Sequence, residues 1–272
     1  MSSPCNPVHD RLRNPYRYLH NPGPIGFAHR GGAATGDENT AAAFQRAVDA
    51  GFRYLETDVH SSADGVAVLF HDATLERITG DPRSVESLRW DDLRTIRHRG
   101  AALIPRLDDV LSAWPTIRFN LDAKTDGAVA PMLEVLSTTG AIDRVLVSSF
   151  SDARLRVIRR SSSPRLATGM GRREVARLWL ASRGGSWAGR LSGYVHRAAA
   201  VQVPVFRGRL RVVDEKFIRH AHGMGLPVHV WTIDDAGMMT ELLDLGVDGI
   251  MTDRIDILVD VYRSRGLWPG RL

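Results

Sequence analysis

The sequence predicts an α/β fold, a (β/α)8 barrel with a β-hairpin extension and a helical insertion after its second strand. Three observations point there. Short β-like runs alternate with helical patterns, which implies a parallel sheet; eight such units recur, enough to close it; and the 272-residue chain suits a fold of roughly 250 residues.

The eight runs are "IGFAH" (25–29), "YLETDV" (54–59), "IRFNLD" (117–122), "VLVSS" (145–149), "RLATG" (165–169), "AVQVP" (200–204), "PVHVWT" (227–232) and "DGIM" (248–251). Between them lie helical patterns such as "TAAAFQRAVDAG", "GAVAPMLEVLSTTG" and "AGMMTELLDLG", several ending in glycine, the usual stop signal. A ninth run, "VAVLFHD" (66–72), follows the second across only "SSADG". That link is too short for a parallel crossover, and Asp64-Gly65 suits a hairpin turn, so 66–72 is expected to be an antiparallel arm. The insertion after it carries "LERITGD" and two predicted helices, "SVESLRWDDLRTI" and "RLDDVLSAW". Residues 1–24 read as an N-terminal tail, 25–258 as the barrel domain and 259–272 as a C-terminal tail.

Composition narrows the function classes. Apolar content of 43% against 25% charged residues supports a large core. Cys5 is the single cysteine, so no disulfide framework exists. The N-terminal stretch has no apolar core of a signal peptide, and no apolar run approaches the roughly 20 residues of a membrane span. A cytoplasmic protein is expected. The positive charge is almost wholly arginine, with Lys124 and Lys216 the only lysines. Those arginines are scattered and the net charge is only +5. A solvated surface, an anionic substrate or a membrane surface fits that charge, and no nucleic-acid partner is expected.

In such barrels chemistry gathers at the carboxyl ends of the strands. Strand one ends in His29-Arg30-Gly31, strand two carries Glu56 and Asp58, the arm ends in His71-Asp72, and strand three carries Asn120, Asp122 and Lys124. Residues two apart on a strand share a face. Three converging carboxylates repel one another and call for protons or a hard divalent cation, Mg2+ or Ca2+, bound through oxygen. Such a cation with Arg30 and Lys124 would trap a phosphate, and two histidines beside it would serve as general acid and base. The residues therefore point to cleavage of a phosphate ester.

The ordered series "AHRGG", "ENT", "ETDV", "FHD", "NLDAK", "SSF", "WT" and "GVDGIMTD" spans roughly residues 25–257 and resembles the glycerophosphodiester phosphodiesterase family. That resemblance implies a TIM-barrel enzyme hydrolysing small-molecule glycerophosphodiesters to an alcohol and glycerol 3-phosphate with one divalent cation. Position by position, it implies that His29 and His71 are the catalytic pair and that Glu56, Asp58 and Asp122 are the metal ligands. Arg30 and Lys124 match the phosphate-contacting cations, and Glu38 and Asn39 the supporting "ENT" motif. Two departures stand out. Asp37 replaces the usual proline before "ENT", and Asp122 replaces glutamate, shortening the reach by about 1.5 Å.

Plainer roles compete at several positions. Trp231 and Phe150 either pack at the barrel top or form the wall against which the glycerol lies. Asp122 alternatively pairs with Lys124 or Arg30, and Asn39 caps the following helix. Asp253 is expected to anchor the last loop, Asp72 to orient His71 or cap a turn, and His60 to face away from the site. The region 170–199, with Trp179 and Trp187, either forms a basic aromatic lid touching membrane or supplies a helix covering the barrel. The alternative functions are a lysophospholipase D-like hydrolase and a non-catalytic polyanion-binding barrel. Oligomeric state is not legible.

Overall fold

The computed structural model describes residues 14–184 and 198–268. Eight parallel strands appear where the sequence places them: β1 (Ile25–Ala28), β2 (Tyr54–Ser61), β4 (Arg118–Ala123), β5 (Val145–Ser148), β6 (Ala167–Thr168), β7 (Val201–Pro204), β8 (Val228–Trp231) and β9 (Gly249–Thr252). Between β2 and β4 lies the hairpin arm, β3 (Ala67–Leu69), antiparallel to the end of β2. The sheet runs β6-β5-β4-β2-β1-β9-β8-β7. Its two ends meet through a parallel bridge between Gly169 and Ala200, where Ala199 N donates to Thr168 O at 2.7 Å and Met170 N to Ala200 O at 3.1 Å.

Alternation sorts each strand into two faces. Leu55 and Val59 on β2, with Phe119 and Leu121 on β4, join a core shared with the surrounding helices α1 (Ala41–Asp49), α2 (Leu107–Ala113), α3 (Val129–Thr138), α4 (Asp152–Ser161), α5 (Arg172–Ser182), α6 (Glu215–Gly223), α7 (Ala236–Leu245) and α8 (Ile255–Ser264). The opposite face fills the barrel. Ile25, Phe27, Tyr54, Leu146 and Met251 form a second buried cluster. Further along the same rows come Glu56, Asp58, Asn120 and Asp122, all buried. The barrel interior is thus apolar at one level and strongly polar towards the carboxyl ends.

Three expectations are corrected. "SVESLRWDDLRTI" is not one helix but a 3-10 turn at Val85–Ser87 and a single turn at Trp90–Leu93. The hairpin tip captures the backbone between them: Ala63 N donates to Leu88 O at 2.8 Å, and Trp90 N donates to Asp64 Oδ1 at 2.9 Å. Residues 259–264, assigned to a tail, continue α8, and Tyr262 donates its hydroxyl to Ile25 O. Trp268 then stacks edge-on against Phe52, so the packed domain reaches that residue. At the other end, Tyr18 and Leu19 of the expected N-terminal tail are buried against the interior cluster. In the region 170–199, α5 packs Leu178 and Trp179 on the core, while Trp187 lies outside the described residues. Among the described residues no helix is long and apolar enough to cross a membrane.

Candidate active site

The "HRGG" turn begins where β1 ends. Gly31 and Gly32 have φ of 83° and 90°, in the left-handed region. A Cβ on Gly31 would lie 2.9 Å from Ala43 Cβ and one on Gly32 2.7 Å from Ile255 Cγ2, so only glycine lets this turn pack against α1 and α8. Arg30 itself has φ 50°. A non-glycine residue there carries strain of order 1–3 kcal/mol, held by its surroundings. Those surroundings are visible: Arg30 N donates to Glu56 Oε2 at 3.0 Å, Nη1 to Glu38 Oε1 at 3.0 Å, and Nε lies 3.3 Å from Asp58 Oδ2.

Register explains how the histidines are held. Ala28 pairs with Thr252, which brings the next residues, His29 and Asp253, side by side. His29 Nδ1 meets Asp253 Oδ1 at 2.7 Å, and its Nε2 lies 3.8 Å from Glu56 Oε2. Burial disfavours the His29 cation, but Glu56 and Asp253 together raise its pKa above the ordinary value. His71 is built alike on the arm, with Nδ1 2.6 Å from Asp72 Oδ1. In each pair the aspartate fixes the ring and leaves Nε2 for chemistry. Asp253, expected only to anchor a loop, thus orients His29. The signal was available in the adjacency of the first and last strands. His60, expected to face away from the site, instead follows Glu56 and Asp58 on the same face of β2, because residues two apart share a face; its Nε2 lies 3.4 Å from His71 O in a buried setting that lowers its pKa.

The carboxylates line one wall. In the β2–β4 register Glu56 stands beside Asn120 and Asp58 beside Asp122. Lys124 Nζ lies 2.7 Å from Asp58 Oδ1 and 2.8 Å from Asp122 Oδ2. Burial opposes the ammonium, yet the two aspartates hold its pKa above the usual lysine value. Asp58 also accepts from Asn39 Nδ2 at 2.9 Å. Burial would raise its pKa, but Lys124, Arg30 and His71 keep it below the ordinary range. Glu56 differs: burial first and the charge of Asp58 second push it up to about 7.

Asn39 does not cap α1. Thr40 does, accepting from Ala43 N at 3.2 Å, while Asn39 (φ 58°) accepts from Thr57 Oγ1 at 2.7 Å and supports Asp58. Asp37, in the place of a proline, takes a two-pronged bond from Arg46 at 2.7 Å per prong and ties the loop to α1. That guanidinium holds its carboxyl below the usual range. At the mouth, Phe150 and Trp231 meet edge-on at 5.7 Å, and Arg172 lies over Phe150 at 4.9 Å. Both aromatic readings therefore share one wall, with Trp231 packed on the interior cluster and Phe150 exposed.

Among the described residues no three His, Cys, Asp or Glu side chains stand at metal-binding spacing, and Lys124 bonds both Asp58 and Asp122. The donor chemistry nevertheless suits a hard cation. All three side chains offer only oxygen, and Glu56 is met by a backbone N–H and a histidine.

The family model for the glycerophosphoryl diester phosphodiesterase family matches residues 29–257. The chain belongs to that family. The match takes in every site residue described above and meets the expectation of a phosphoric diester hydrolase at the level of the family. A Mycobacterium tuberculosis protein named probable glycerophosphodiester phosphodiesterase 2 is 38% identical over 257 residues, covering 93% of this chain and 96% of that one. The crystal structure of a glycerophosphodiester phosphodiesterase from Agrobacterium tumefaciens aligns with TM-score 0.73 at 26% identity, covering 89% of this chain and 99% of that one. An Oleispira antarctica phosphodiesterase, solved with the product sn-glycerol-3-phosphate, shares the fold with TM-score 0.73 at 24% identity, covering 89% and 97%.

Proposed function

We propose that this chain hydrolyses glycerophosphodiesters to an alcohol and glycerol 3-phosphate, with His29 and His71 as the acid–base pair. The observation that carries the reading is the arrangement of two histidine–aspartate pairs around one buried wall of Glu56, Asp58 and Asp122 with Arg30 and Lys124.

Each role follows from chemistry. Arg30 and Lys124 are fixed cations on which a phosphodiester would settle, and their charge is worth most where phosphoryl charge develops in the transition state. One histidine takes the proton of the nucleophile and the other supplies one to the leaving alkoxide. The nucleophile is water or, through a cyclic phosphate, the glycerol 2-hydroxyl. Asp253 and Asp72 keep both rings oriented through Nδ1. Glu38 and Asn39 hold Arg30 and Asp58, so they act on substrate through those residues. Trp231 and Phe150 form the wall for the glycerol carbons. Glu56, Asp58 and Asp122 would hold one divalent cation, Mg2+ or Ca2+, which when bound supplies Lewis-acid polarisation of the phosphoryl group.

The test is a panel of glycerophosphodiesters and lysophospholipids offered to chelator-treated protein resupplied with Mg2+, Ca2+ or Mn2+. Release of glycerol 3-phosphate from the first group supports the reading. Turnover confined to lysophospholipids would move it to a lysophospholipase D-like activity, and turnover of neither would sink it.

A further inference from the structure

The second histidine raises a problem of positioning. His71 sits on the hairpin arm, not on a barrel stave, and its side chain is 32% exposed. Asp72, its partner, is the next residue in the chain and gives His71 only one oxygen. Something else has to fix that carboxylate. The side chain that does so is Arg77, in the helical turn Glu76–Thr79 that follows the arm. Arg77 Nε donates to Asp72 Oδ2 at 2.5 Å, leaving Oδ1 for His71.

The same guanidinium also reaches the first barrel loop. Its Nη2 donates to Glu38 Oε1 at 2.6 Å and its Nη1 to Glu38 Oε2 at 3.1 Å. Glu38 in turn accepts from Arg30 Nη1 at 3.0 Å. The path His71–Asp72–Arg77–Glu38–Arg30 therefore joins a proton-transfer group to a phosphate-facing cation. These lie on separate segments, one after β3 and one after β1. Both carboxylates need a planar fork with several donors at fixed angles. A lysine ammonium would supply charge but not that geometry.

We propose that Arg77 is a positioning residue, which locks the Asp72–His71 pair and the Glu38–Arg30 pair into one arrangement facing the same phosphodiester. It touches no substrate and acts through its two carboxylates. The inference rests on the phosphodiesterase reading above.

The experiment compares the full chain with R77A, R77K, R77Q and D72N by hydrolysis of glycerophosphocholine and by NMR of 15N-labelled histidine. R77A is expected to lose roughly 10- to 100-fold in kcat, as supporting partners of site residues typically do, with KM changed less and melting temperature nearly kept. R77K is expected to recover little of that loss, and dilute guanidinium to restore part of R77A turnover. Joined in one chain, R77A and D72N should cost clearly less than the product of their separate losses, because Asp72 is one of the two carboxylates through which Arg77 acts. The His71 ring nitrogens should show one tautomer in the wild type and an averaged signal in R77A or R77Q. Near wild-type kcat in folded R77A or R77Q beside an active wild type would overturn the inference alone. Multiplying losses in the double variant, or an unchanged His71 signal, would do the same. No turnover by the wild type would instead strike the phosphodiesterase reading itself, and the NMR signal would still decide whether Arg77 fixes the ring.

Discussion

Lys124 Nζ lies 2.7 Å from Asp58 Oδ1, reaching from just past the end of β4 to the neighbouring strand β2. The contact matters because Asp58 and Asp122 are cross-strand partners, and like charges directly opposite each other destabilise a sheet. The ammonium also bonds Asp122, so one compact cation resolves the repulsion of two buried carboxylates. This gives a reason for a lysine in a chain whose cations are otherwise almost all arginine.

Removing that cation leaves Asp58 buried and under-compensated. Lys124→Met is expected to lower stability by about 3 kcal/mol, the scale for breaking a buried pair, and to lower turnover strongly. Denaturant unfolding of chelator-treated protein measures the first effect. Added Mg2+ should stabilise the variant more than the wild type. Equal stability of variant and wild type in chelator would show that Lys124 does not balance these carboxylates.

Asp122 is the residue that departs most from the expected ligand set. Asp122→Glu lengthens its reach beyond the Lys124 contact and is expected to tighten divalent-cation binding with the fold unchanged. Calorimetric titration of stripped protein with Mg2+ and Ca2+ reads this directly. Weaker binding would mean that the shorter side chain is matched to its site.

Asp253→Asn keeps the size of the side chain that holds His29 but removes its charge. Turnover is expected to fall roughly 10- to 100-fold with KM little changed, the pattern of a partner that orients and polarises a catalytic ring. Steady-state kinetics checks it, and an unaltered kcat would return Asp253 to the loop-anchoring role first expected of it.

The barrel floor carries a pH signature separate from the site. Burial raises the Tyr54 hydroxyl to about 12 and pushes Tyr18 up as well. Tyr54 donates to Tyr18 O at 2.8 Å, a bond that requires the proton. A raised folded-state pKa means the native state holds protons that the unfolded chain releases near pH 10, so this stability is full below about 10 and lost as pH rises towards 12. Stability should fall over that window, and less steeply in Tyr54→Phe. An equally steep fall in Tyr54→Phe would contradict the role given to its buried hydroxyl.

The strands were legible because alternation and glycine stops are local properties. The hairpin arm was legible because five residues cannot carry a parallel crossover. What escaped depends on contacts distant in sequence. The expected helix at 84–96 breaks where Ala63 and Asp64 bind Leu88 and Trp90, which no local propensity encodes. Thr40 rather than Asn39 caps α1 because Asn39 is drawn to Asp58 and Thr57. The same holds for the site: strand ends offer His29, Glu56, Asp58 and Lys124 as candidates, whereas the contacts of Asp253 with His29 and of Arg77 with Asp72 emerge only from register and loop packing.

The central claim is that His29 and His71 carry the proton transfers of phosphodiester cleavage. It is tested most directly by measuring turnover of a glycerophosphodiester by metal-supplied wild type, His29→Ala and His71→Ala, with circular dichroism confirming the fold of each. The account predicts a loss of roughly 10²- to 10⁴-fold in both variants. Near wild-type turnover in either folded, metal-loaded variant would contradict it.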